Sequence, residues 1–429
     1  MNIAIVGLGK IGLPLAVQFA LKGHKVFGVD INEKTVSLIN QGLEPFPGEL
    51  NLEHNLKKVI STKNLFAMTD TVLATRQSDA VVVVVPLVVC DLEIPDFGMI
   101  DSATKLIAEG LRPGTLVSFE TTLPIGTTRN RFAPILEEIS GLKAGTDFDL
   151  VFSPERVFSG RIFADLRKYP KLVGGINPKS SQKGVEFYSQ VLDFDERSDL
   201  KEGNGVWNMG SCEASEFAKL AETTYRDVNI ALSNQFALFA EKIGIDFYRV
   251  ISASNSQPFS HIHSPGVAVG GHCIPVYPQF YLWSDPEASI VRCARAFNSS
   301  MPQRIVVLLE EMHGKLHKQC VVVLGASYRG GVKETAFSGV FSLVEKLEDL
   351  GATVYVHDPM YTNEELKELG FDPYSYGMHI DAAIVQADHL EYSLLLPSNL
   401  PGVKSILDGR NILRTEFWTG IKLKKFGST

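Results

Sequence analysis

The sequence predicts an α/β protein with two Rossmann-like doubly wound parallel-sheet domains, joined by a long central helix and a helical middle domain. Three observations predict it. Short β-branched apolar runs alternate with helix-period segments through roughly the first 200 residues, and that alternation implies a parallel sheet covered by helices. The same alternation returns near residue 315. Between them, residues 210–243 hold no proline, and no glycine after the first position.

The elements follow in order. Residues 2–6 form an apolar strand, 13–21 a helix ending near Gly23, and 25–29 a second strand. The run 80–85 is continuous and β-branched, as in a strand buried on both faces. Strands at 116–119, 150–152 and 171–173 follow at intervals that leave room for helices. In 210–243, Phe217, Leu220, Ala221, Tyr225, Val228, Ala231, Leu232, Phe236 and Phe239 recur at helical spacing, giving a helix of about 30 residues. A helix of that length favours pairing with a second copy, so a homodimer or higher homo-oligomer is expected. The third segment reads as strand 320–324 followed by Gly325, helix 340–350 ending at Gly351, and strand 353–356 followed by His357-Asp358-Pro359. The tail after Thr419, GIKLKKFGST, is expected to be mobile. The boundaries are 1–200, 201–314 and 315–429.

The chain has 429 residues and a net charge of −8. It is long enough for two or three domains, and it lacks the basic surplus of a nucleic-acid or membrane-surface binder. The start MNIAIVGLG has no basic n-region and is not a signal peptide. The longest apolar run, 80–90, contains Pro86 and is too short to span a bilayer. Five scattered cysteines, at 90, 212, 273, 293 and 320, fit free thiols in a reducing cytoplasm. With no CxxC pair, no metal site is expected.

Gly7-Leu8-Gly9-Lys10-Ile11-Gly12 follows a strand and opens a helix, the context a dinucleotide fingerprint requires. Gly7 makes the turn, Gly9 admits a pyrophosphate, and Gly12 lets helix and strand approach. Lys10 and Ile11 lie at the helix start, where N–H groups and the dipole favour phosphate. Asp30 ends the second strand at the spacing of a carboxylate that accepts from a ribose 2′-hydroxyl. It favours NAD over NADP, whose 2′-phosphate it would repel. Lys34, four residues on, is counted with the cofactor contacts.

Three further residues carry candidate chemistry. Glu155, in Ser153-Pro154-Glu155-Arg156, follows an apolar strand, where open α/β sheets place ligands; alone, it reads equally as a surface acid. Lys219 is a cation inside an apolar helical stripe, or a lysine that snorkels to solvent. Cys273, in GVAVGGHCIPVYP, sits between a glycine pair and a proline. It is either an inert thiol or a presented nucleophile, and the glycines would let a ligand approach closely.

GLGKIG, ETTLPIGTT, SPER, AKLAETTYRDVN and GGHCIP, in this order and separation, resemble the UDP-glucose/GDP-mannose dehydrogenase family of NAD-dependent nucleotide-sugar dehydrogenases over nearly the whole chain. GGHC is similar to the branch acting on UDP-N-acetylhexosamines. NSQPFS at 255–260 resembles its UDP-N-acetylglucosamine members more than its N-acetylmannosamine ones. The resemblance implies two successive NAD-dependent oxidations of a UDP-sugar at C6, through a thiohemiacetal and a thioester. It casts Cys273 as nucleophile, Lys219 as oxyanion stabiliser, Glu155 as general base and Thr122 as a hydroxyl near the nicotinamide. Asn229, as a fourth catalytic residue, and Arg226 would reach the substrate from the Lys219 helix, and Arg156, Gly270, Gly271, Tyr328 and Arg329 would contact it. The C-terminal sheet would hold the UDP.

The chain departs from the family pattern at three places. Thr223 stands for an asparagine four residues after the lysine, and Tyr277 for an aspartate four residues after the cysteine. ASYRGGVKETAFS at 326–338 places Arg329 for a lysine and Lys333-Glu334 for two acids. An arginine grips phosphate bidentately where a lysine does not. Three alternatives follow: a UDP-glucose dehydrogenase, a single-step dehydrogenase in which Cys273 is idle, and a nucleotide-binding paralogue that has lost turnover.

Overall fold

Alternating apolar strands and amphipathic helices build two compact units, Met1–Ala221 and Glu222–Thr429. The computed structural model describes residues 1–46, 48–89, 94–158 and 160–428.

The first unit runs β1 (Asn2–Val6), α1 (Gly12–Leu21), β2 (Lys25–Val29), α2 (Glu33–Asn40), α3 (Leu52–Ser61), β3 (Leu65–Met68), α4 (Thr71–Arg76) and β4 (Ala80–Val83). A short hairpin follows, β5 (Val88–Val89) with β6 (Pro95–Asp96), then α5 (Gly98–Gly110) and β7 (Leu116–Phe119). After a π-turn come α6 (Ala133–Ser140), β8 (Asp149–Phe152), α7 (Ile162–Lys168), β9 (Lys171–Gly175), α8 (Pro178–Val191) and β10 (Val206–Asn208). The strands form one sheet in the order β10-β9-β8-β7-β4-β1-β2-β3. Chain order reverses at β1, which pairs in parallel with β2 on one side and β4 on the other. Such a switch point opens a crevice at the carboxyl ends of the strands. β1, β4, β7 and β8 are almost wholly buried, which explains their unbroken apolar runs.

Two expectations need correction here. The sheet is not wholly parallel: β9 pairs antiparallel with β8, and β10 follows β9. The strand expected over 80–85 is shorter, since β4 ends at Val83, ahead of Pro86, whose missing N–H cannot join a ladder. Cys90 lies outside the described residues.

Helix α9 (Cys212–Lys242) has 31 residues, close to the length its periodicity predicts, and the division between the units falls within it. The second unit continues with α10 (Phe247–Asn255), α11 (Tyr277–Ser284), α12 (Ser289–Ser299) and α13 (Met301–His313). Then come β11 (Cys320–Leu324), α14 (Gly339–Asp349), β12 (Thr353–His357), α15 (Asn363–Glu368), β13 (Ala382–Val385), β14 (Ser405–Asp408) and β15 (Lys422–Lys425). These five strands form a parallel sheet, β12-β11-β13-β14-β15, with a switch point at β11. The C-terminal tail, expected to be mobile, is instead held in place through Phe426. β15 pairs with β14, and Phe426 is fully buried beside Val267 and Leu407. Its lysines suit an edge strand, where charge discourages further pairing. No helix among the described residues is long and apolar enough to cross a membrane.

Candidate functional site

The glycine loop closes the β1–β4 crevice. Gly7 adopts φ +96°, and a Cβ there would lie 2.9 Å from the Val84 carbonyl oxygen. A Cβ on Gly12 would lie 1.8 Å from the Gly7 carbonyl oxygen. These two glycines serve the chain. Gly9 differs: a Cβ there would meet no atom within 4 Å, so its smallness leaves room for something outside the chain, as a pyrophosphate requires. Lys10 and Ile11 lead into α1. The Asp30 carboxylate is held at the rim, accepting from the backbone N–H of Leu8 at 3.0 Å and of Asn32 at 2.9 Å. Lys34 is exposed on the first turn of α2, which Asn32 caps. The residues present fit a dinucleotide.

Beside that loop the carboxyl ends of β7 and β8 carry a buried polar cluster. Lys171, which opens β9, donates through Nζ to Glu120 Oε2 at 2.8 Å and to Glu155 Oε2 at 2.9 Å. Tyr188, on α8, donates to Glu120 Oε1 at 2.6 Å, and its oxygen lies 2.7 Å from Ser118 Oγ. The side chains of Lys171, Glu120 and Glu155 are 4 %, 0 % and 12 % exposed. Burial pushes the Glu120 carboxyl up to about 7, with Lys171 opposing and Glu155 adding to the rise. Burial works on Glu155 in the same sense, yet the Lys171 charge and hydrogen bond, the Arg156 N–H and the Lys219 charge together hold it below the usual range. Glu155 Oε1 accepts from that N–H at 2.7 Å, and the Arg156 guanidinium donates to the Pro170 carbonyl.

Thr122 is buried in the loop after β7. That loop is anchored by Glu216 of α9, which accepts from Gly126 N, Thr128 N and Thr128 Oγ1 at 2.5, 2.9 and 2.7 Å. Lys219 lies buried on the same helix, close enough to Glu155 for its charge to act there.

In the second unit the Cys273 thiol is exposed. Its loop is tied down on several sides. Gly266 N donates to Asn234 Oδ1 at 2.9 Å, and Gly271 N to the Ala336 carbonyl at 2.8 Å. The carbonyl of Ile274 accepts from Arg295, whose guanidinium pairs with buried Asp227 at 3.1 Å. The glycine pair has a packing reason that the sequence did not suggest. A Cβ on Gly270 would sit 2.5 Å from Tyr328 Cβ, and one on Gly271, at φ +89°, would sit 3.0 Å from the Tyr328 ring. The pair lets the cysteine loop lie against the segment after β11.

That segment occupies the second switch point. Asp358 Oδ2 accepts from Ala326 N and Ser327 N at 2.9 and 2.8 Å. Arg329 Nε donates to Tyr328 Oη at 3.2 Å. Lys333 pairs with Glu365, and Glu334 with His272 at 3.3 Å. Asn229 holds the loop before Cys273: it donates to the His261 carbonyl and accepts from His263 N, both at 2.9 Å. Arg226 is half-buried on the same helix. Thr223 is buried, and Tyr277 opens α11 with its ring 5.8 Å from that of Phe280.

Sequence reasoning passed over Glu120, Lys171, Glu216 and Arg295. The available signal was charge at strand ends: Glu120 directly follows LVSF, and Lys171 directly precedes LVGG.

Residues 1–192, 213–300 and 322–415 match three family models, the NAD binding, central and UDP binding domains of the UDP-glucose/GDP-mannose dehydrogenase family. The chain is 34 % identical over 426 residues to UDP-N-acetyl-D-mannosamine dehydrogenase of Pyrococcus horikoshii, covering 96 % of each. A solved structure of UDP-D-ManNAc dehydrogenase from that organism aligns with TM-score 0.88 at 32 % identity, over 100 % of this chain and 99 % of that one. NDP-N-acetyl-D-galactosaminuronic acid dehydrogenase from Methanosarcina mazei aligns with TM-score 0.83 at 29 % identity, over 99 % and 95 %.

Proposed function

Because the chain belongs to the UDP-glucose/GDP-mannose dehydrogenase family and is an NAD-dependent nucleotide-sugar dehydrogenase, we propose that it oxidises C6 of UDP-N-acetyl-D-mannosamine twice, yielding the uronate. The sugar is the one named in the Pyrococcus horikoshii relative. The observation that carries the double oxidation is the exposed Cys273 thiol on a loop braced by Asn234, Ala336 and Arg295.

Bound NAD supplies the hydride acceptor for both oxidations. Gly7, Gly9, Lys10, Ile11, Gly12, Asp30 and Lys34 would hold it, with Thr122 near its reactive ring. An aldehyde has no second hydride to give until a nucleophile adds, so Cys273 Sγ bonds to the aldehyde carbon, giving a thiohemiacetal. Loss of the second hydride leaves a thioester on Cys273. Lys219 stabilises the oxygen anions that form at that carbon. Glu155 takes a proton from the water that displaces the sulfur. In sum, one alcohol, two NAD⁺ and one water give one carboxylate, two NADH and three protons. Arg156, Arg226, Asn229, Gly270, Gly271, Tyr328 and Arg329 would hold the sugar nucleotide. The exposed apolar residues Tyr225, Leu232, Phe236 and Phe239 of α9 suit a homodimer contact.

The test is NADH yield per sugar from purified protein with excess NAD and a panel of UDP-sugars, beside Cys273→Ala. About two NADH per UDP-N-acetyl-D-mannosamine, abolished by the substitution, is expected. One NADH per sugar, indifferent to the substitution, would replace this reading with a single-step dehydrogenase.

A further inference from the structure

The Glu120–Lys171–Glu155 cluster has more charge than a structural ion pair needs. Two buried carboxylates share one buried ammonium, at 2.8 and 2.9 Å, so the fully ionised cluster carries a net negative charge in a poorly solvated place. Burial of unbalanced charge is costly and shifts proton occupancy instead. Here it does so unequally: Glu120 is pushed up to about 7 by burial, while Glu155, despite burial, is held low by Lys171, the Arg156 N–H and Lys219. Two carboxylates whose environments drive them apart are the pattern of an acid–base site. The groups facing Glu155 are Lys171 from β9, Glu120 beyond β7 and Lys219 from α9, with Tyr188 of α8 behind Glu120.

We propose that Lys171 and Glu120 are positioning residues: Lys171, shared between the two carboxylates, aims Glu155 and sets how readily it accepts a proton. Glu120, once ionised above about pH 7, acts by competing for the ammonium. Without that competition Glu155 would be bound by the full Lys171 charge and would be a poorer base. Without Lys171 it would be a buried, weakly compensated carboxylate that holds its proton to higher pH. This rests on the reading of Glu155 as general base for thioester hydrolysis.

The test is the pH dependence of uronate release in a single turnover of the full-length enzyme with NAD and UDP-N-acetyl-D-mannosamine. Glu120, pushed up to about 7, is already protonated on the acid limb, so Glu120→Gln, which keeps the shape and a hydrogen-bond acceptor, should leave that limb in place and abolish the rise in release through about pH 7 that ionised Glu120 gives the wild type. Lys171→Met should move the acid limb up by about one pH unit. If Lys171→Met does not fold, Tyr188→Phe replaces it. That substitution strips the donor from Glu120 Oε1, favours protonated Glu120, and should shift the rise in release near pH 7 to higher pH. Glu155→Gln separates the two ideas. If it releases uronate at the wild-type rate, the general-base reading fails. If it abolishes release while the pH profiles of the other variants coincide with that of wild type, the cluster is only a structural ion pair and this proposal is overturned.

Discussion

Gly9→Ala and Gly12→Ala, three residues apart in one loop, should fail in opposite ways. A methyl at Gly12 would sit 1.8 Å from the Gly7 carbonyl oxygen, a distance no relaxation of one side chain removes. The strand-to-helix joint must open, and a backbone displacement in a packed core costs about 1–3 kcal/mol or more. A methyl at Gly9 meets nothing within 4 Å, and Gly9 is not among the positive-φ glycines. Its effect on stability should lie within about 0.5 kcal/mol, or be slightly favourable through the lost freedom of the unfolded chain. The methyl would instead occupy the space that a pyrophosphate bound against Gly9 would take. Loss of one or two charge-assisted hydrogen bonds, at about 1.5–3 kcal/mol each, weakens NAD by roughly 10- to 100-fold or more. Thermal melting reads the first quantity and calorimetric titration with NAD the second. Gly9→Ala should keep the wild-type melting temperature and lose NAD affinity. A Gly9→Ala protein that melts early yet binds NAD normally would refute the assignment of Gly9 to the ligand.

Two further predictions concern stability. Burial raises the Glu216 carboxyl from 4.5 to about 7 in the folded protein. A raised folded value means its contribution is fully present below pH 4.5 and is lost as pH rises through 7. The loss amounts to at most about 3 kcal/mol. Glu216→Gln should therefore destabilise most near pH 5 and progressively less toward pH 8 in urea melts, whereas an effect constant with pH would rule out that linkage. Phe426→Ala, in the tail, should cost about 3–5 kcal/mol; a wild-type melting temperature would show that β15 does not close the second core.

Much of this architecture was legible because its strands are buried on both faces and its ligand loop needs glycines at fixed positions. β1, β7 and β11 lie where continuous apolar runs place them, and the 31-residue α9 lies where an uninterrupted helical period places it. What stayed hidden depends on neighbours. The tail looked mobile because its lysines hide the alternation of an edge strand, and only Phe426 signals burial. Gly270 and Gly271 looked like room for a ligand, but their partner, Tyr328, is distant in sequence. Glu155 and Lys219 were visible as charges in apolar company. Their companions Glu120 and Lys171 resembled ordinary strand-flanking charges, since nothing local shows that the two strand ends meet.

The reversal of β9 explains that meeting. In a wholly parallel sheet a strand's first residue lies on the amino rim, far from the crevice where ligands gather. β9 enters where β8 leaves. Its pairing sets Val151 opposite Gly175 and Phe152 opposite Gly174, and the same register carried outward brings Lys171 level with Glu155. One inverted strand, next to the edge strand β10, thus supplies the crevice with a cation from its own threshold. The sheet direction, and not a loop, fixes where that ammonium stands.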